Sequence, residues 1–261
     1  MDKRDVQNCA RFYQTNYLET FYLVSTYNGK SCILVAEKDN FPHLVGIRRS
    51  VYKSNGYRSP YSLYQDILLG NSISDKIIPN IIATNSKMYK KVRNFEKSTE
   101  VFWNNKGPLA ISYDTSKSST LLDSIDIILS DIDSGFMLGW KENKNIPINA
   151  EIKLTKYCIC SWIDESDGSK RQKEKYMPQQ EVEIIRNIFA FDKQSNLLRQ
   201  KEYKYSSEEK ENILRIIERN DSNLLVDRKN ERYYSDIAAE KNIQCRINGK
   251  LYDEKESETA K

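Results

Sequence analysis

Histidine is almost missing from this 261-residue chain: there is one, His43. That scarcity excludes a two-histidine acid–base pair and a histidine-rich metal site, and any Ser or Cys triad would need His43 as its base. No G-x-S-x-G elbow, P-loop or G-x-G-x-x-G is present. The five cysteines are odd in number, and four lie in apolar periodic segments. They read as free thiols of a reducing compartment. Cys158 and Cys160 have C-x-C spacing, without a second pair or a histidine nearby to complete a zinc set. There is no run of about 18 apolar residues, and the opening MDKRDVQNCARF has no apolar signal core. A cytoplasmic protein with no membrane span is the expectation.

What is present is charge. Lys and Arg number 41 against 37 Asp and Glu, a net +4, which permits an anionic partner without requiring one. Residues 41–117 carry a cationic series, Arg48, Arg49, Lys53, Arg58, Lys76, Lys87, Lys90, Lys91, Arg93 and Lys97, with few carboxylates among them. The 119–135 stretch is acidic.

The patterning changes along the chain. Val6, Ala10, Tyr13 and Tyr17 make one helical stripe. Two β-prone runs flank Asn28-Gly29, which predicts a two-residue hairpin turn with positive φ, and His43 then follows the second strand. Ser59 as cap, Pro60 at the first helical position and Gly70 at the exit punctuate another helix. In KMYKKVRNFEKSTEVFW, Met88, Val92, Phe95, Thr99 and Phe102 share a stripe, opposite Lys90, Arg93 and Lys97. Those three cations are either a solvated face or a nucleic-acid contact. From residue 109 the period becomes two, predicting strands in LAISYD, SIDIILSDID, GFMLGWKE, AEIKLTKYCICSWID and VEIIRNIFAFD. A long polar loop separates the last two. Ser206 with Glu209 marks a capping box for a helix burying Ile213, Leu214 and Ile217. The expected architecture is α+β: a helical N-terminal half packed on an antiparallel sheet, one domain over 1–228, with a polar tail over 229–261.

Asp131 and Asp133 are a weak candidate for a divalent cation beside the commoner reading, turn-forming acids before Ser-Gly. The chemistry this composition does fit is metal-free RNA cleavage. A base takes the 2′-OH proton, the oxygen attacks the adjacent phosphorus, and cations stabilise the phosphorane. His43 with Arg48 and Arg49 is a set of that kind; the alternative is a hydrogen-bonded structural histidine.

FPHLVGI resembles the F-x-H-L-x-G-[IL] signature of a phage-associated family with the barnase/EndoU/colicin/RelE-like nuclease fold. DILLGNSIS, SKMYKKVRNFE and GFMLGWKE resemble its later blocks, so the likeness spans roughly 8–165. It implies a nuclease core and carries over His43, Leu44, Gly46, Ser86 and Lys87, with chemistry expected only of His43, Ser86 and Lys87. Where that family tends to show Pro followed by Ser or Thr, this chain has NIPINAEIKL. The resulting expectation is a metal-independent, cofactor-free ribonuclease or toxin of a phage or mobile element. His43 would be its base or acid, Arg48, Arg49 and Lys87 would contact phosphate, and Ser86 would hydrogen-bond to it. Lys90, Arg93, Lys97, Tyr57 and Tyr89 would bind RNA, and an immunity or host protein is a further expected partner. A non-catalytic inhibitor and an ADP-ribosyltransferase are the competing readings.

Overall fold

The computed structural model describes residues 2–71, 75, 78–79, 86–103, 108–114, 125–131, 135–147, 153–165, 180–194, 196–212, 225–226, 244–247 and 250–253. Helix α1 (Lys3–Tyr13) starts at a capping box on Asp2 and runs into a π-helical turn, Gln14–Leu18. The predicted stripe is the buried one: Val6, Ala10, Tyr13 and Tyr17 are closed to solvent. Strands β1 (Thr20–Thr26) and β2 (Ser31–Val35) form the expected hairpin. Its turn differs in detail from expectation. The Gly29 N–H donates to Thr26 O and the Thr26 N–H to Lys30 O, with only Gly29 (φ 84°) in the left-handed region. This is the longer hairpin loop, closed by a glycine bulge.

The helices follow: α2 (Phe41–Leu44), α3 (Arg49–Ser54), α4 (Pro60–Leu69), α5 (Ser86–Arg93) and α6 (Glu100–Trp103). Helix α4 begins at the Ser59 cap and ends at left-handed Gly70, as its punctuation predicts. The 88–102 stripe is not one helix. A 3-10 turn, Phe95–Thr99, interrupts it. Its shorter period buries Ser98 in place of Thr99, and Ser98 accepts a hydrogen bond from Tyr17 (2.7 Å).

The five strands predicted from residue 109 are β3 (Pro108–Ser112), β4 (Ile127–Asp131), β5 (Phe136–Pro147), β6 (Lys153–Asp164) and β7 (Glu181–Asp192). An unpredicted strand, β8 (Leu197–Glu202), pairs with β7; its exposed side chains lack alternation. The sheet is mixed and not purely antiparallel, because β2 pairs parallel with β6. It also closes on itself. The order β1-β2-β6-β5-β4-β3-β7 returns to β1, since β7 pairs with β1 as well as β3. A ring of this size has room inside only for side chains, so the helices lie outside it. Tyr22, Val24, Leu34, Ile159 and Trp162 meet them in one core. Phe21, Leu23 and Ile33 alternate to the inner face, where Phe21 stacks on Phe191 at 5.0 Å.

Leu225–Val226 pairs with β7, and within 229–261 the strands Gln244–Ile247 and Lys250–Asp253 pair with each other. The 207–212 helix carries the expected Ser206–Glu209 capping box; Ile213, Leu214 and Ile217 lie outside the described residues, as does most of the expected 164–180 loop. No helix among the described residues is long and apolar enough to cross a membrane.

Candidate active site

The FPHLVGI segment is a capped helical turn. Glu37 caps a 3-10 turn at Lys38–Asn40, which passes directly into α2. The turn then ends in a glycine cap: the Gly46 N–H donates to His43 O (3.0 Å) and the Ile47 N–H to Pro42 O (2.7 Å), the paired bonds of a Schellman motif. Gly46 has φ 89°, a conformation that glycine adopts without penalty. Phe41, Leu44, Val45 and Ile47 are buried. Phe41 meets Tyr13 at 5.4 Å and Tyr64 at 5.2 Å, ring centre to ring centre. The motif's apolar letters thus anchor the turn and its glycine stops it. His43 is the side chain left exposed, and Asp39, four residues earlier in the preceding 3-10 turn, is exposed as well.

His43 therefore sits on a helix, and not at the strand end expected from the hairpin: β2 stops at Val35. Its electrostatic neighbour is Lys91 on α5. A Cβ built on Gly46 would lie 3.4 Å from Met88 Cα and 3.6 Å from Lys91 Cδ, so α5 packs against the turn at ordinary contact distance, and what glycine supplies here is the positive φ. The indole N–H of Trp162 donates to the carbonyl of Lys91 (3.4 Å), fixing α5 to β6. Partial burial, and then the Lys91 charge, push the His43 pKa below its ordinary value of 6.5. The ring is neutral at pH 7 and suited to accept a proton.

The other expected site residues separate into groups. Arg48 caps α3 and Arg49 opens it, both exposed, and it is Lys91, not either arginine, whose charge acts on His43. Ser86 and Lys87 begin α5, and their side chains lie outside the described residues; Lys87 stands one helical turn before Lys91. Lys90 is half-buried, while Arg93 and Lys97 are exposed on successive elements, so the three do not continue along one helix. Tyr57 is a correction. It is buried, its hydroxyl donates to Asp66 (2.9 Å), and burial raises its pKa, so no base can stack on it. Tyr89 is 46% exposed and lines a cleft with Asn8, Arg93 and Glu96. The side chains of Asp131 and Asp133 lie outside the described residues.

Lys91 is the residue that sequence reasoning passed over. It was one lysine in a cationic series, and the only signal available was its i+4 spacing from Lys87 on the helix that packs against the turn. The cysteines are not part of the site. Cys9, Cys32 and Cys158 are buried and free, Cys160 partly so, and burial pushes the Cys9, Cys32 and Cys160 thiols up to about 12, which makes them poor nucleophiles.

No curated protein and no solved structure matches the chain. A family model does, over residues 5–225, which extends the likeness well past the 8–165 core expected from the motifs and takes in β7 and β8. The chain belongs to the phage-Barnase-EndoU-ColicinE5/D-RelE like nuclease 4 family.

Proposed function

We propose that this nuclease cleaves RNA without a metal, using the 2′-hydroxyl as nucleophile and His43 as the base. The observation that carries the reading is the exposed imidazole held beside Lys91 on a turn fixed by its own cap. His43 takes the 2′-OH proton as the oxygen attacks phosphorus. The P–O5′ bond breaks, and the leaving oxygen takes a proton from solvent. The products are a 2′,3′-cyclic phosphate and a 5′-hydroxyl. The Lys91 ammonium stabilises the extra charge on the phosphorane, with Lys87 one turn away and Arg48 and Arg49 as outer phosphate contacts.

His43→Ala tests it. Cleavage should fall about 100- to 10,000-fold, the range for removing a general base, with an unchanged thermal midpoint because the ring is exposed. Products should carry a cyclic phosphate, and cleavage should persist in excess chelator. Activity lost to chelator and restored by magnesium, or products ending in 5′-phosphate, would exclude the mechanism.

A further inference from the structure

A groove of about 610 Å³ opens beside the 38–44 turn, lined by Leu18, Glu19, Lys38, Asp39, Tyr61 and Lys193. Tyr61 is exposed, its hydroxyl accepts from Gln65 (2.6 Å), and the Lys38 ammonium lies over its ring at 5.1 Å. Glu37, which also borders the groove, is already engaged by Asn143 and Cys158. Glu19 uses one oxygen to accept from Gln14 (2.7 Å). Asp39 makes no hydrogen bond or ion pair among the described residues. The groove therefore offers an aromatic face, two carboxylates with accepting capacity and two ammonium groups. Lys193 is partly desolvated, and burial together with Lys156 lowers its pKa, so an anion or carbonyl at that point would stabilise its charge.

We infer that this groove is a base subsite of the same nuclease and that it takes guanine. The inference rests on the reading of His43 given above. Single-stranded RNA is read by stacking bases on aromatic rings and bonding their Watson–Crick edges. A carboxylate can only accept. Among the four bases, only guanine presents two adjacent N–H donors on that edge. Adenine and cytosine place an acceptor beside their amino group, and uracil flanks its single N–H with two carbonyls, all of which a carboxylate repels. The guanine ring replaces the Lys38 ammonium on Tyr61, and Lys38 or Lys193 meets the O6 carbonyl. Asp39 precedes His43 by four residues along the 3-10 turn and α2, about 7 Å of rise. That is the scale of the distance from a base to its own 2′-oxygen, so the guanosine in the groove is the nucleotide whose 2′-OH His43 deprotonates.

Calorimetric binding of the uncleavable 2′-deoxy dinucleotide d(GpA), with d(ApA), d(CpA) and d(TpA) in parallel and GMP as the free nucleotide, tests this on the intact chain. We expect d(GpA) to bind at least tenfold more tightly than the others and more tightly than GMP. Asp39→Asn and Glu19→Gln should each erase the base preference, and Lys91→Gln should weaken d(GpA) while sparing GMP. Equal binding of all four dinucleotides, or GMP binding that a following nucleotide does not improve, would overturn the subsite. RNA cleavage without base preference would also overturn it and leave the His43 mechanism standing. Selective d(GpA) binding by a protein that cuts no RNA would support the subsite and remove the mechanism.

Discussion

The single histidine makes its titration unusually easy to read, because one imidazole resonance reports one residue. Its pKa should lie below 6.5, and Lys91→Gln should raise it by removing the neighbouring charge. The rising limb of the cleavage rate should move to higher pH with it. A histidine whose pKa does not respond to Lys91→Gln would break the link between α5 and the base. The same shift predicts a stability effect. The unfolded chain, with the ordinary value near 6.5, takes up a proton before the folded chain does. Stability from the neutral ring is whole above that value and is lost as pH falls from there through the lower folded value. Melts from pH 8 to 5 should show a slope that His43→Ala reduces. Gly46→Ala is the complementary change. It forces an alanine to φ 89° beside Met88 and Lys91, which should cost about 1–2 kcal/mol in the left-handed region. The built Cβ meets α5 at ordinary contact distance, so the cost should come from the backbone at Gly46 and show as a lower thermal midpoint.

At the level of elements, what was legible followed from how local the signal is. The α4 boundaries came from Ser59, Pro60 and Gly70, and those residues do cap, start and end the helix. Strands β3 to β7 showed because each is a run of β-branched, aliphatic and aromatic residues between polar stretches. Strand β8 did not show, because Leu197 to Glu202 form an exposed edge with nothing to alternate against. The 88–102 stripe looked continuous because a 3-10 turn changes the period by less than one residue over its length. The motif that located His43 was legible as letters, but part of its cause is tertiary: Phe41 packs against α1 and α4, while Gly46 closes the turn with its positive φ. Lys91 was therefore invisible as a partner until the helix was placed. Phe41→Ala should cost about 3–5 kcal/mol, since it empties the middle of that aromatic cluster. Urea melts would check it. The split of Lys90, Arg93 and Lys97 between elements bears on RNA binding too. If Arg93 and Lys97 contact phosphates, changing all three to Gln should flatten the salt dependence by about 0.7 per lost contact on a log–log plot. An unchanged slope would assign them to solvent.

For the molecule as a whole, the decisive strand lies beyond the segment where the motifs end. The motif likeness stops near 165, after β6, yet a chain ending there has no ring. Strand β7 pairs with β1 along Thr20–Thr26 and with β3 along Leu109–Ser112, and it carries β8 on its C-terminal half. Without it, β1 and β3 would each present a row of unpaired backbone groups, and Phe21 would lose Phe191. Such edges pair with other chains. The same strand holds Glu183, buried against Thr26 Oγ1 (2.6 Å) and paired with Lys30, so removing it also takes one partner from each of these hairpin residues. A chain ending at 165 should therefore aggregate or show no cooperative thermal transition, whereas one ending at 228 should melt in a single step and retain cleavage. The family match to residue 225 takes in the closing strand, β7, which ends at Asp192, so the shared unit contains the whole ring. Light scattering and circular dichroism on the two truncations would decide it. A soluble, cooperatively melting 1–165 fragment would show that ring closure is dispensable and that His43 is positioned by the helical half alone.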